Sequence, residues 1–265
     1  MLWGLVEGRI NIPSGDLNYI SFGKGQKNLI IIQGLNIRDI KGAGVSLAWM
    51  YKIFSKNYRV WFFDRRMVVG DGLTNQDLAE DIYRAMTALH IASADVLGVS
   101  QGGMIALALA LEHPACVSKL VLGVTAARAN ENIKTVVGRW IGYAKNRDAV
   151  TINRETFSLM YTEQYLKKYR LFMPLLVRMV KPKDFDRFAI LASAILHFDC
   201  YDRLNEIKCP VLVLGGAQDK ITTGEASVEI AEKLNCKIHM YSEYGHAAYE
   251  EAKDFNKRVY EFLSK

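Results

Sequence analysis

The sequence predicts an α/β protein with a mostly parallel central sheet, helices on both faces and an inserted helical cap. Three observations carry that prediction. Short apolar runs alternate with helical patterns as far as Thr125, the rhythm of strands joined by crossover helices. The run ending at Val99 passes through Gly98-Val99-Ser100-Gln101-Gly102 straight into a long apolar helical pattern, a sharp strand-to-helix turn built around a serine. From Ala126 to Leu204 the pattern is helical only, and strands resume at Cys209. The expected organisation is therefore a first core part over 1–125, a helical cap over 126–204 and a second core part over 205–265.

Taken in order, Leu17 to Phe22 and Leu29 to Ile32 are β-rich runs separated by the turn Gly23-Lys24-Gly25-Gln26. The first is read as half of an antiparallel edge hairpin. The second is apolar throughout, as a strand covered on both faces should be. A helix follows over about 45–55, then a strand from Tyr58 to Phe63. Thr74-x-x-Asp77 reads as a capping box for a helix with Leu78, Ile82, Ala85 and Leu89 on one face. Ser93 to Val99 is the strand that feeds the turn, and Val117 to Val124 the strand after its helix. Helical patterns then run over Glu131 to Lys145, Arg154 to Met160, Glu163 to Val180 (interrupted by Pro174) and Asp184 to Phe198. Cys209 to Leu214 resumes the sheet, with Thr222-x-x-Glu225 expected to cap the next helix. Cys236 to Tyr241 is the final strand. An amphipathic helix from Ala248 to Leu263 ends the chain, with Phe255, Val259 and Phe262 facing inward.

The chain has 265 residues, half of them hydrophobic, enough for a full α/β core without staples. Cys116, Cys200, Cys209 and Cys236 show neither metal-ligand spacing nor a CxxC pair, and read as reduced thiols of a cytoplasmic protein. The first residues lack the basic region of a signal peptide. No apolar run approaches the roughly 20 residues that a membrane span needs.

The chemistry begins at Ser100. A serine on this turn sits in a strained backbone conformation, and Gly98 and Gly102 remove the Cβ atoms that would collide with it. Such a serine needs a base, and the base needs an orienting group. Asp219 follows the strand that starts at Cys209, and His246 follows the strand that ends at Tyr241, so both fall at the sheet edge that carries Ser100. The order Ser, Asp, His is the one expected of a triad on such a sheet. His90, His113 and His239 fall at helix ends or within a strand and read as structural, and His197 lies in the cap. Glu243, Glu250 and Glu251 lie near His246 but read as loop and solvated helix positions.

These stretches resemble the α/β-hydrolase fold family, in its broad group of cap-bearing esterases, lactonases, C–C bond hydrolases and cofactor-free haloperoxidases. The resemblance covers nearly the whole chain. It is closest in Gly98 to Met104, Glu112-His113-Pro114, Lys119 to Leu122, Ile207 to Asp219 and Gly245-His246. It implies Ser100 as nucleophile, His246 as general base and then acid, and Asp219 as the orienting carboxylate, with no metal and no cofactor. The oxyanion hole is expected from the backbone amides of Gln101 and Leu35. Two places depart from the family pattern. Gln33-Gly34 stands where His-Gly is common, and Asp64-Arg65-Arg66 lacks the glycine that usually follows the arginine.

The implied reaction is acyl transfer to water from a small-molecule carboxylic ester or lactone. The same machinery would serve a C–C bond of a diketone, a thioester, an N-terminal peptide or a peracid, and a non-catalytic ligand-binding protein could use the scaffold too. Charge adds one expectation. There are 34 basic and 28 acidic side chains, and from Arg128 to Asp199 the count is 13 against 7, so the whole excess lies in the cap. Lys167, Lys168, Arg170, Arg178, Lys181, Lys183 and Arg187 contribute to it. The charge suits either a solvated helical surface or the attraction of an anionic substrate. No nucleic-acid recognition motif accompanies it.

Overall fold

The computed structural model describes residues 3–179, 182 and 184–265. Eight strands form one sheet in the order β1-β2-β4-β3-β5-β6-β7-β8. They are β1 (Val6–Ile12), β2 (Gly15–Phe22), β3 (Lys27–Ile32), β4 (Tyr58–Phe63), β5 (Ala94–Val99), β6 (Val117–Gly123), β7 (Val211–Gly216) and β8 (Lys237–Tyr241). β1 and β2 pair antiparallel, β2 pairs antiparallel with β4, and every pairing from β4 to β8 is parallel.

The period of two along the strands sorts the core into two layers. Ile30, Ile32, Val96, Leu120, Leu122 and Val213 point to one face, where α2 (Asn75–Ala88), α3 (Gln101–Glu112) and α9 (Gly224–Leu234) cover them. Leu29, Ile31, Leu97, Val99, Val121 and Leu214 point to the other, beneath α1 (Gly44–Met50), α10 (Ala248–Glu251) and α11 (Phe255–Leu263). β5 and β7 are buried along their whole length, which is why they read as unbroken apolar runs.

Between β6 and β7 the chain forms α4 (Glu131–Lys145), α5 (Ala149–Met160), α6 (Glu163–Tyr169), α7 (Met173–Met179) and α8 (Phe185–Leu196). α4 and α8 pack on each other. Their Ile133, Val137, Trp140, Phe188 and Leu191 continue the core layer of α2 and α3. Asp184 caps α8 by accepting from the amides of Asp186 and Arg187. Val180, Lys181 and Lys183, named in the sequence analysis, lie outside the described residues.

The antiparallel edge hairpin is as expected: β2 is its inner half, and its outer strand is β1, which the sequence conceals because Gly8, Arg9 and Asn11 break its apolar pattern. Other expectations are corrected. α5 begins at Ala149, not Arg154, because the Asp148 carboxylate accepts from the Thr151 amide and starts the helix earlier. α6 and α7 are separate helices, the break falling ahead of Pro174. The expected terminal helix is two helices, and the inward face of the second is Phe255, Val259 and Leu263, with Phe262 half-buried. Thr222 does not cap α9. That helix starts at Gly224 from a Thr223 in the left-handed region (φ 71°) with no side-chain cap. The Thr74–Asp77 box is formed on both sides, amide to side chain each way.

Candidate active site

Ser100 stands at the end of β5 with φ 55° and ψ −126°, a conformation an L-residue holds only when its surroundings enforce it. Its amide donates to the Gly123 carbonyl at 2.9 Å, and the Thr125 hydroxyl donates to the Ser100 carbonyl at 2.6 Å. A Cβ on Gly98 would lie 2.4 Å from the Gly102 carbonyl oxygen, and one on Gly102 would lie 2.0 Å from that of Ile32. The turn therefore closes only with glycine at both positions.

The loops after β7 and β8 bring Asp219 and His246 to Ser100. His246 Nε2 lies 2.9 Å from Ser100 Oγ, and His246 Nδ1 lies 2.8 Å from Asp219 Oδ2. An ionised carboxylate only accepts, so the proton sits on Nδ1 and Nε2 is free to accept from the serine hydroxyl. Asp219 is buried and fully engaged. Its Oδ1 accepts from the amides of Ile221 at 2.7 Å and Thr222 at 3.0 Å, and its Oδ2 also accepts from Thr222 Oγ1 at 2.7 Å. Burial alone would push its carboxyl up. The interaction and hydrogen bond with His246, with the hydrogen bonds from Thr222 and Ile221, outweigh burial and hold it below the usual carboxylate range.

Gln101 opens α3, so its amide has no acceptor one turn back in the helix. The Gly34–Leu35 backbone lies against the serine: a Cβ on Gly34 would be 3.1 Å from Ser100 Cβ and 3.5 Å from Oγ. The two loops that depart from the family pattern touch each other. Arg65 Nη2 donates to the Gln33 carbonyl at 2.6 Å, and Gln33 Oε1 accepts from Asn36 Nδ2 at 3.1 Å. Burial pulls the Arg65 guanidinium down to about 10 against the attraction of Asp64, so it stays charged at neutral pH. Asp64, in turn, accepts from the amides of Ile40 and Arg65.

A cavity of about 190 Å³ opens over Ser100. Leu35 and Ile37 line it from the loop after β3, Leu47, Met50 and Tyr51 from α1 and the turn after it, and Ile221 from the loop after β7. Trp140, Thr156, Met160 and Phe188 come from the inserted helices, and Tyr249 and Glu250 from α10. Among the described residues that line it there is no lysine or arginine. Arg187, the most buried of the described basic side chains singled out in the insertion, donates instead to the carbonyls of Arg65 and Arg66. Lys167, Lys168, Arg170 and Arg178 do not line it.

Besides the Arg187 contacts, other hydrogen bonds fasten the insertion. Gln101 Nε2 donates to the Leu191 carbonyl at 2.8 Å and Asn75 Nδ2 to that of Ala194 at 3.1 Å, joining α3 and α2 to α8. At the other side the Ala247 amide donates to the Met160 carbonyl, Tyr161 Oη donates to Glu250 Oε2 at 2.6 Å, and Thr162 gives Glu251 two hydrogen bonds. The remaining histidines stand elsewhere. His113 pairs with Glu80 and stacks on Tyr83, His239 meets Tyr241 edge-on, and His90 and His197 are exposed. Glu243 is exposed too. In the sequence Thr222 reads as a helix cap, Arg65 as part of a loop that departs from the family pattern and Glu250 as a solvated helix position, with no contact to Ser100 expected of Thr125.

The family model described as "alpha/beta hydrolase fold" matches residues 37–253. A 2-hydroxy-6-oxononadienedioate/2-hydroxy-6-oxononatrienedioate hydrolase of Paraburkholderia xenovorans (strain LB400) is 27% identical, the match covering 96% of this chain and 94% of that one. A 3-oxoadipate enol-lactonase 2 of Acinetobacter baylyi is 24% identical over 78% of this chain and 77% of its own. The crystal structure of the enol-lactonase from Burkholderia xenovorans LB400 superposes with a TM-score of 0.86 at 23% identity, covering 97% of this chain and all of that one. The family match over most of the chain, on a sheet of this order, shows that the chain belongs to the alpha/beta hydrolase fold family.

Proposed function

We propose that this hydrolase cleaves small-molecule carboxylic esters or lactones through an acyl-Ser100 intermediate. The observation that supports it is the unbroken chain of hydrogen bonds from Ser100 Oγ through His246 to a buried, fully satisfied Asp219. His246 takes the hydroxyl proton as Ser100 attacks the carbonyl carbon. It then returns that proton to the leaving oxygen. The amides of Leu35 and Gln101 hold the oxyanion, and Arg65 keeps the Leu35 loop in place through Gln33. Water activated by the same histidine then releases the acid. In this reading residues 126–204 act as a cap that closes the cavity and excludes water. The protein acts in the cytoplasm, in keeping with four free cysteines. Among the described residues no helix is long and apolar enough to cross a membrane.

The C–C hydrolase named above acts, by its name, on a dioate. The cavity here offers no lysine or arginine to a second carboxylate among its described lining residues, which favours the ester or lactone reading. The test is labelling with a fluorophosphonate probe, which reacts stoichiometrically with an activated serine. Ser100→Ala should abolish labelling and lower the hydrolysis of p-nitrophenyl acetate by about 10³-fold or more, leaving only what binding and the oxyanion hole contribute. Wild-type rates in Ser100→Ala would exclude Ser100 as the nucleophile.

A further inference from the structure

We infer that the cavity over Ser100 selects substrates bearing an ammonium group, held by the Glu250 carboxylate among aromatic side chains. This rests on Ser100 being the nucleophile, and goes further by naming the substrate's charge. Apart from His246, Glu250 is the one titratable acid or base among the described residues that line the cavity besides the tyrosines. It stands beside Tyr249, and Tyr51 and Trp140 line the same space. Glu250 lines this space while remaining exposed to solvent, and a carboxylate in a cavity lined by aromatic side chains is chemistry that recognises primary or quaternary ammonium ions. An anionic substrate would meet repulsion there.

The tyrosines are suited to this. Burial pushes the phenols of Tyr51, Tyr161 and Tyr249 up, and the neighbouring Glu250 pushes them further. They remain neutral at physiological pH, and their rings keep the negative face that attracts a cation. Glu250 also ties the insertion to α10 through Tyr161, and that tie could be taken as its whole purpose. Glu251, however, already fastens the same junction through the amide and hydroxyl of Thr162. A second anchoring carboxylate does not have to face the cavity, and Glu250 does. The basic side chains singled out in the insertion attract anions only to the outer surface, because none of those described lines the cavity.

Glu250→Gln separates charge from anchoring, since the amide oxygen can still accept from Tyr161. Two isosteric pairs of esters are compared. Acetylcholine and 3,3-dimethylbutyl acetate differ on the alcohol side; p-nitrophenyl esters of trimethylglycine and 3,3-dimethylbutanoic acid differ on the acyl side. In wild-type protein kcat/KM for the cationic member of at least one pair should exceed that of its neutral partner about five- to tenfold. In Glu250→Gln that ratio should fall to about one. In parallel, ligand-observed NMR follows benzyltrimethylammonium, whose Kd should rise several-fold in Glu250→Gln. Neutral esters preferred in both pairs, or a cation preference that Glu250→Gln leaves intact, would overturn the inference. If none of the four esters is hydrolysed and the fluorophosphonate does not label, the nucleophile reading fails. The NMR arm then decides alone, and an unchanged Kd overturns the ammonium site.

Discussion

Thr222 looks, in the sequence, like the first residue of a capping box, because Glu225 follows at the right spacing. In the structure its hydroxyl donates to Asp219 Oδ2, and its oxygen lies 3.2 Å from the Val124 carbonyl. A buried carboxylate that orients a histidine must have its own lone pairs filled, and Thr222 fills one that His246 leaves. Thr222→Val keeps the shape and removes the donor. It should lower kcat about tenfold with little change in KM, and destabilise the protein by about 1–2 kcal/mol; Thr222→Ser should restore both. Steady-state kinetics and urea unfolding read the two effects. Ser100, Asp219 and His246 were legible because each is fixed by a strand end in a recognisable order. Thr222 and Arg65 were not, because their partners, Asp219 and the Gln33 carbonyl, are reached only once the loops have folded together.

At the scale of elements, the legible features are those with local causes. β4 runs over the stretch expected, since its apolar residues and bounding turns sit within it. α2 starts where Thr74 and Asp77 say it should. Thr74→Ala should cost about 1 kcal/mol in urea unfolding with catalysis unchanged, and Thr74→Asn should recover most of it. What the sequence hides has non-local causes. β1 is a strand because β2 offers it an edge, and most of its own residues are exposed or half-exposed. The last helix divides at Ala252-Lys253-Asp254, where buried Ala252 and Phe255 seat two short helices separately on the core.

For the whole molecule, Asp219 links folding to pH. Its carboxyl is held lower in the folded protein than the value of about 3.9 in an unfolded chain. A depressed carboxyl contributes stability that is fully present above the unfolded value and is lost as pH falls through the folded one. Wild-type protein should therefore lose stability on acidification below about pH 4. Asp219→Asn should lose less over the same interval, because it has no proton to take up. Urea midpoints from pH 5 down to pH 2.5 measure the difference, and equal slopes would mean that Asp219 is not held low.

The insertion and the serine turn share a structural member. Gln101, which follows Ser100, reaches up with its side chain to the Leu191 carbonyl, while Asn75 accepts from Gln101 and donates to Ala194 on the same helix. A recombination experiment that swaps residues 126–204 for the equivalent segment of another family member would thus exchange more than the roof of the cavity. Unless the incoming helix presents two carbonyls at the same places, it leaves two buried side-chain amides each short of an acceptor, one of them on the residue next to Ser100. Exchange of these segments, in the laboratory or in evolution, is then expected to succeed when positions 75 and 101 travel with the insertion, although they lie outside it in the chain.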